Sequence, residues 1–132
     1  MTHPLIDRLT GEMAWPRLAT HVERAGFTDR PGWHVLFVPG DVKRNLESPD
    51  VAVVLPELRM AFQGRFDCAV VDDAIEADLR AETGVLKTPS LLFFYDGSFV
   101  AGIPKVRDWD EYIARIKQIL ALPPATAEAA AD

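Results

Sequence analysis

Residues 84–102, GVLKTPSLLFFYDGSFVAG, limit what this chain can fold into more than any other stretch. Lys87-Thr88-Pro89 stops whatever precedes it, and Ser90 to Tyr95 then run almost unbroken apolar. Such a run is too short for a helix of ordinary length. Bounded by Pro on one side and Asp96-Gly97 on the other, it reads as a buried strand. Asp-Gly between two apolar runs signals a tight hairpin, because both turn residues need positive φ. Phe99 to Ile103 is then the returning strand. Pro89 cannot donate a ladder hydrogen bond and belongs at the head of the first strand.

The remainder alternates helices and strands. Residues 1–13 suggest a short helix with Pro4 near its start and Gly11 at its end. Trp15 to Ala19 reads as an edge strand, since Pro16 excludes a central one. Thr20 caps a helix running to Ala25 and closed by Gly26. His34 to Val38 is a buried strand, broken by Pro39-Gly40. A polar loop leads to Asp50 as N-cap of a helix over Val51 to Phe62, with Gly64 beyond it and a kink expected at Pro56. Phe66 to Val71 is a central strand, and Asp73 to Thr83 a helix closed by Gly84. Asp108 and Glu111 have capping-box spacing ahead of an apolar face of Trp109, Tyr112, Ile113, Ile116 and Leu120.

The order is β-α-β-α-β-α-β-β-α with one helix in front, which predicts a three-layer α/β/α domain around a mixed sheet of four to five strands. It resembles the thioredoxin fold over about residues 14–122. Residues 1–13 are then an N-terminal helical extension and residues 123–132 a disordered tail, too poor in apolar bulk to pack. The resemblance implies a cis Thr88-Pro89 bond. The local sequence alone favours trans, since only roughly 5–6% of X-Pro bonds in folded proteins are cis.

A chain of 132 residues can bury a core unaided. Its net charge of −6 argues against nucleic acid and is compatible with a partner carrying positive charge. Cys68 is the one cysteine, so no internal disulfide can form. No basic-then-apolar leader opens the sequence and no run approaches the ~20 residues of a membrane span. A reducing, cytoplasmic setting is the expectation.

The chemistry of a thioredoxin requires a Cys-x-x-Cys at the start of the kinked helix, where a low-pKa thiolate performs the exchange. Counting back from Pro56 places Ser48-Pro49-Asp50-Val51 there. Without sulfur at Ser48 or Val51, dithiol exchange is excluded. Cys68 lies inside an apolar strand, where a thiolate is disfavoured. Ser48 has no base nearby in sequence, the histidines lack metal-ligand spacing, and no Gly-rich phosphate loop is present. No cofactor and no catalytic residue are expected. The rival reading is a monothiol or glutathione-dependent oxidoreductase on the same fold, which needs a reactive Cys68 or an activated serine near Pro89.

What remains is a groove and a charge pattern. An extended segment before a strand-opening Pro offers main-chain groups for β-addition, so Thr88 and Pro89 are candidate partner-binding residues. Asp67, Asp72, Asp73, Glu76, Asp78 and Glu82 fall within sixteen residues, opposed locally by Arg80 alone. They can form a solvated helix face with dipole-favoured acids in its first turn. They can equally receive a cationic, apolar segment, which makes Asp72, Asp73, Glu76, Asp78 and Glu82 partner-binding candidates too.

Asp50-Val51-Ala52-Val53-Val54-Leu55-Pro56-Glu57-Leu58, the Phe62 that follows, Gly84-Val85 before Pro89, and Gly102 with Asp108-Trp109 resemble the HyaE/HupG group of hydrogenase expression/formation proteins. Those are thioredoxin-like and lack the redox motif. The resemblance implies a non-catalytic, chaperone-like role in maturation of an uptake nickel–iron hydrogenase. The implied partner is the precursor of the small subunit, through its twin-arginine signal peptide.

Overall fold

The computed structural model describes residues 3–122; the expected tail, 123–132, lies outside the described residues. The elements are α1 (Pro4–Thr10), β1 (Arg17–Leu18), α2 (His21–Thr28), β2 (Trp33–Val38), α3 (Ser48–Ala61), β3 (Phe66–Val71), α4 (Asp73–Thr83), β4 (Ser90–Tyr95), β5 (Ser98–Pro104) and α5 (Trp109–Leu120). One five-stranded sheet has the order β1-β3-β2-β4-β5. β3 runs parallel to β1 and β2, and β4 is antiparallel to both β2 and β5.

The pleat of β4 divides the core. Leu91 and Phe93 point to one face, where they join Leu55 and Leu58 of α3, Ile116 of α5, and Ile6 and Leu9 of α1. Leu92 and Phe94 point to the other face, with Phe27 of α2 and Ile75 and Leu79 of α4. Apolar residues on both faces are what a sheet covered on both sides requires. The front helix, α1, shares the first core with α3 rather than lying clear of it. Among the described residues no helix is long and apolar enough to cross a membrane.

Strand β3, helix α4 and strand β4 keep the limits that their punctuation predicts. The hairpin turn has Asp96 at φ 49° and Gly97 at φ 89°, the positive values that an Asp-Gly turn needs. Other limits differ from expectation: β1 is only Arg17–Leu18, and β2 and β5 start one residue earlier, at Trp33 and Ser98. α2 continues through Gly26 to Thr28, with Asp29 as C-cap. Its Thr20/Glu23 capping box fixes the start, and a glycine inside a short helix weakens it without ending it. α3 begins at Ser48, not after Asp50, because Pro49 suits the first turn. The Asp108 side chain makes no cap hydrogen bond on α5; Glu111 turns instead to Arg107 and Arg115, at 3.6 and 2.9 Å. Trp109 is correspondingly not on the buried face of α5, which is formed by Tyr112, Ile116, Ile119 and Leu120.

Candidate functional site

The site lies where β2, β4 and β5 meet the loops at one end of the sheet. The Thr88–Pro89 bond is cis. Pro89 is buried, and its carbonyl accepts the Lys105 N–H at 2.6 Å. Across from it the chain leaves β2 through Gly40, whose missing side chain admits Thr88: a β-carbon there would stand 2.7 Å from Thr88 Cβ and from Asn45 Nδ2. Asp41 folds the following loop. Its carbonyl accepts from the Arg44 and Asn45 N–H groups and from Asn45 Nδ2, and its carboxylate accepts from the Lys43 N–H. Glu47 reaches Lys105 Nζ at 3.9 Å and ties this loop to the end of β5. Among the described residues, the backbone groups of Lys87 and Thr88 make no hydrogen bond.

Ser48 and Val51, where the sequence reading looks for thiols, lie at the start of α3. Ser48 is fully buried, and its Oγ donates to the Pro39 carbonyl at 2.5 Å. Val51 is buried in the first core. Neither side chain is open to solvent. Cys68 is buried within β3, and that burial pushes its thiol well above the ordinary value, outweighing the nearby Arg59 guanidinium.

The acids of residues 67–82 do not form one surface. Asp67 takes Arg30 and His34, the latter its register partner across β2 and β3. Asp72 caps α4 through the Ala74 N–H and pairs with Arg17 at 2.7 Å; these two hydrogen bonds hold its carboxyl below the usual range. Asp78 meets His21 at 2.8 Å and Glu82 meets Arg24 at 3.0 Å. The sequence shows Arg80 as the local counter-charge, but the fold adds cationic or ionisable partners from β1, α2, β2 and the α2–β2 loop. Glu76 lies 3.8 Å from Arg80 Nη1, and Asp73 and Glu76 line a groove of about 390 Å³ with Asp41, Lys43 and Ala77. Burial raises the Glu76 carboxyl above its ordinary value; Arg80 opposes the shift, and Asp73 and Asp41 add to it.

Sequence reasoning passes over several residues at this end. Asp41 reads there as one residue of an undifferentiated polar loop. Leu46 is 79% exposed, Leu86 59% and Trp109 44%, and each sits within five residues of Pro89, Ser48 or Lys105. A large apolar side chain in a loop beside a strand-opening Pro is the signal that could have marked Leu46 and Leu86.

Residues 5–112 match the family model for hydrogenase-1 expression protein HyaE. The chain belongs to the HyaE family. It is similar to the hydrogenase expression/formation protein HupG of Rhodobacter capsulatus, 66% identical over 91% of this chain and 87% of that one. It is also similar to HoxO of Azotobacter vinelandii, a protein of the same description, at 41% identity over 92% of this chain and 80% of that one. Among solved structures, the putative hydrogenase expression/formation protein HupG of Rhodopseudomonas palustris CGA009 aligns with TM-score 0.53 and 37% identity, over 80% of this chain and 95% of that one. A thioredoxin from Halobacterium salinarum aligns with TM-score 0.65 at 21% identity, over 83% and 93% of the two chains. This HyaE-family chain thus has the thioredoxin-like α/β architecture.

Proposed function

We propose that this chain is a non-catalytic accessory protein in maturation of an uptake nickel–iron hydrogenase. In this reading it binds the small-subunit precursor through its twin-arginine signal peptide, in the cytoplasm and before export. The relatives named as hydrogenase expression/formation proteins support the maturation role. One observation carries the rest: the backbone of Lys87 and Thr88 is left unpaired beside Pro89, while Ser48 and Val51 at the start of α3 are buried and carry no thiol. That combination suits holding an extended peptide without reacting with it. The candidate contact residues are Thr88 and Pro89, with Asp72, Asp73, Glu76, Asp78 and Glu82 as a source of attraction for arginine.

The test is titration of the purified protein with the hydrogenase small-subunit precursor, with and without its signal peptide. Binding that depends on the signal peptide supports the proposal. Equal affinity for the two forms would move the contact to the mature subunit, and no affinity for either would remove the small subunit as partner.

A further inference from the structure

This inference rests on the peptide-binding reading above and concerns which part of the signal peptide crosses Thr88. The main-chain opening there is short. The Leu86 carbonyl accepts from Arg80 Nε at 2.8 Å, the Pro89 carbonyl accepts the Lys105 N–H at 2.6 Å, and Pro89 has no N–H to give. Strand-like pairing is thus confined to the N–H and C=O groups of Lys87 and Thr88. Such bonds hold an extended chain without choosing among sequences, so the choice falls to the side chains around them.

Two exposed leucines flank the opening. Leu86 is 59% exposed and immediately precedes it. Leu46 is 79% exposed and is held beside it by its neighbours on both sides. A β-carbon on Gly40 would stand 2.7 Å from Asn45 Nδ2 and from Thr88 Cβ, so the Asn45 and Thr88 side chains lie together. Glu47 reaches Lys105 Nζ at 3.9 Å, and Lys105 is the residue bonded to the Pro89 carbonyl. Leu46 therefore stands between one residue set against Thr88 and one tied to Pro89.

The charges on these two segments do not suit an arginine. Asp41 faces Arg44 at 3.8 Å and Glu47 faces Lys105, whereas among the described residues Lys43 and Lys87 make no ion pair. An arginine laid across Thr88 would meet the neighbouring Lys87 ammonium and no free carboxylate on either segment. An uncharged run meets no such repulsion. A signal peptide carries an apolar run of roughly 7–15 residues behind its charged start. Successive side chains of an extended chain point to opposite sides, so an unbroken apolar run offers one to each leucine in any register. Asp50, exposed in the first turn of α3 and without an ion pair among the described residues, is the rival anchor for an arginine.

We propose that the apolar run of the signal peptide crosses Thr88 in extended form between Leu46 and Leu86, with the arginine pair outside this contact. Covering the two leucines supplies the affinity, and the Lys87 and Thr88 main chain sets the direction of the bound segment.

The experiment measures binding of three synthetic small-subunit signal peptides by fluorescence anisotropy. One is natural, one has Gln-Gln for Arg-Arg, and one has a pair of serines inside the apolar run. The proteins are wild type, Leu46→Ser/Leu86→Ser, Asp50→Asn, and Val22→Ser, which changes an apolar residue on α2 that is 82% exposed. Either single leucine variant serves if the double variant fails to fold. We expect the leucine variant to bind the natural and Gln-Gln peptides about tenfold more weakly than wild type does. It should bind the serine peptide no more weakly than wild type does, because that contact is already lost. Val22→Ser and Asp50→Asn should change none of these affinities. If wild type binds but the leucine variant loses nothing, or loses as much for the serine peptide, the placement is wrong while peptide binding stands. The same holds if Asp50→Asn removes a preference for Arg-Arg over Gln-Gln, since the arginine pair would then lie inside the contact. If wild type binds none of the three peptides, both readings fall.

Discussion

Gly40 and Thr88 touch across the mouth of the sheet: the Thr88 side chain fills the space that a side chain on Gly40 would need. Gly40 also has φ +73°, a value that costs a residue with a β-carbon roughly 1–2 kcal/mol. The turn out of β2 and the loop into β4 are therefore fitted to each other by one absent methyl group. Gly40→Ala should lower stability by about 1–3 kcal/mol, combining backbone strain with overpacking, and should weaken signal-peptide binding by shifting Thr88. Urea midpoints and peptide titration on the same variant check both effects. A midpoint equal to wild type would mean that the two loops separate at little cost.

Two helix starts that look alike in sequence should respond differently. The Glu23 N–H donates to Thr20 Oγ1 at 3.0 Å, and the Thr20 N–H donates to Glu23 Oε1 at 3.1 Å, a complete capping box. Thr20→Ala should cost about 0.5–2 kcal/mol. Asp108 has the same spacing to Glu111 but makes no cap bond. Asp108→Ala should stay within about 0.5 kcal/mol of wild type. The comparison is of urea midpoints at one pH, and a loss at position 108 equal to that at position 20 would contradict the geometry described for α5.

The contrast shows what can be read from the chain. β3, α4 and β4 are legible to the residue because Asp-Gly, Pro and Gly mark their ends and apolar runs fill them. The Asp108 cap is not, because spacing cannot say which of several cations a glutamate will choose, and Arg107 and Arg115 are both within reach of Glu111. The acidic cluster misleads for a related reason. Its counter-charges Arg17, His21, Arg24 and Arg30 lie far away in sequence and meet it only once β1 and α2 pack beside α4. Leu46 and Leu86 escape notice because periodicity finds buried faces and is silent on loops.

Cys68 should be inert in the folded protein. Its thiol is raised by burial, whereas an unfolded cysteine ionises near pH ~8.5. Native protein should resist a disulfide reagent at pH ~8.5 and react fully once denatured. The sign of the linkage follows from the same shift. Above pH ~8.5 the unfolded chain loses the thiol proton while the folded chain keeps it, so stability falls with rising pH by up to roughly 1.4 kcal/mol per unit. Tyr112, also raised by burial, adds to this slope only nearer its ordinary value of about 10. Cys68→Ala should flatten the decline between pH ~8.5 and ~10. Equal slopes for the two proteins would show that the thiol is not the group responsible.

Restoring the motif should not restore the reaction. Ser48→Cys/Val51→Cys rebuilds Cys-x-x-Cys at the start of α3, on a fold shared with a thioredoxin. An exchanging thiolate must be reached by its substrate disulfide, and it is favoured by exposure near a helix N-terminus. Here position 48 is fully buried, with its side chain turned toward the Pro39 carbonyl under a loop that Asp41 folds and Glu47 fastens to Lys105. Position 51 points into the core shared with Leu55 and Phe93. The double variant should therefore reduce insulin no faster than buffer containing dithiothreitol alone, while still folding. Removing the fastening by adding Glu47→Ala should raise reagent access to the thiol introduced at position 48 before any turnover appears. Insulin turnover by the double variant at a thioredoxin-like rate would mean that residues 41–47 open readily in solution, and that the serine at position 48, rather than its burial, is what keeps this site silent.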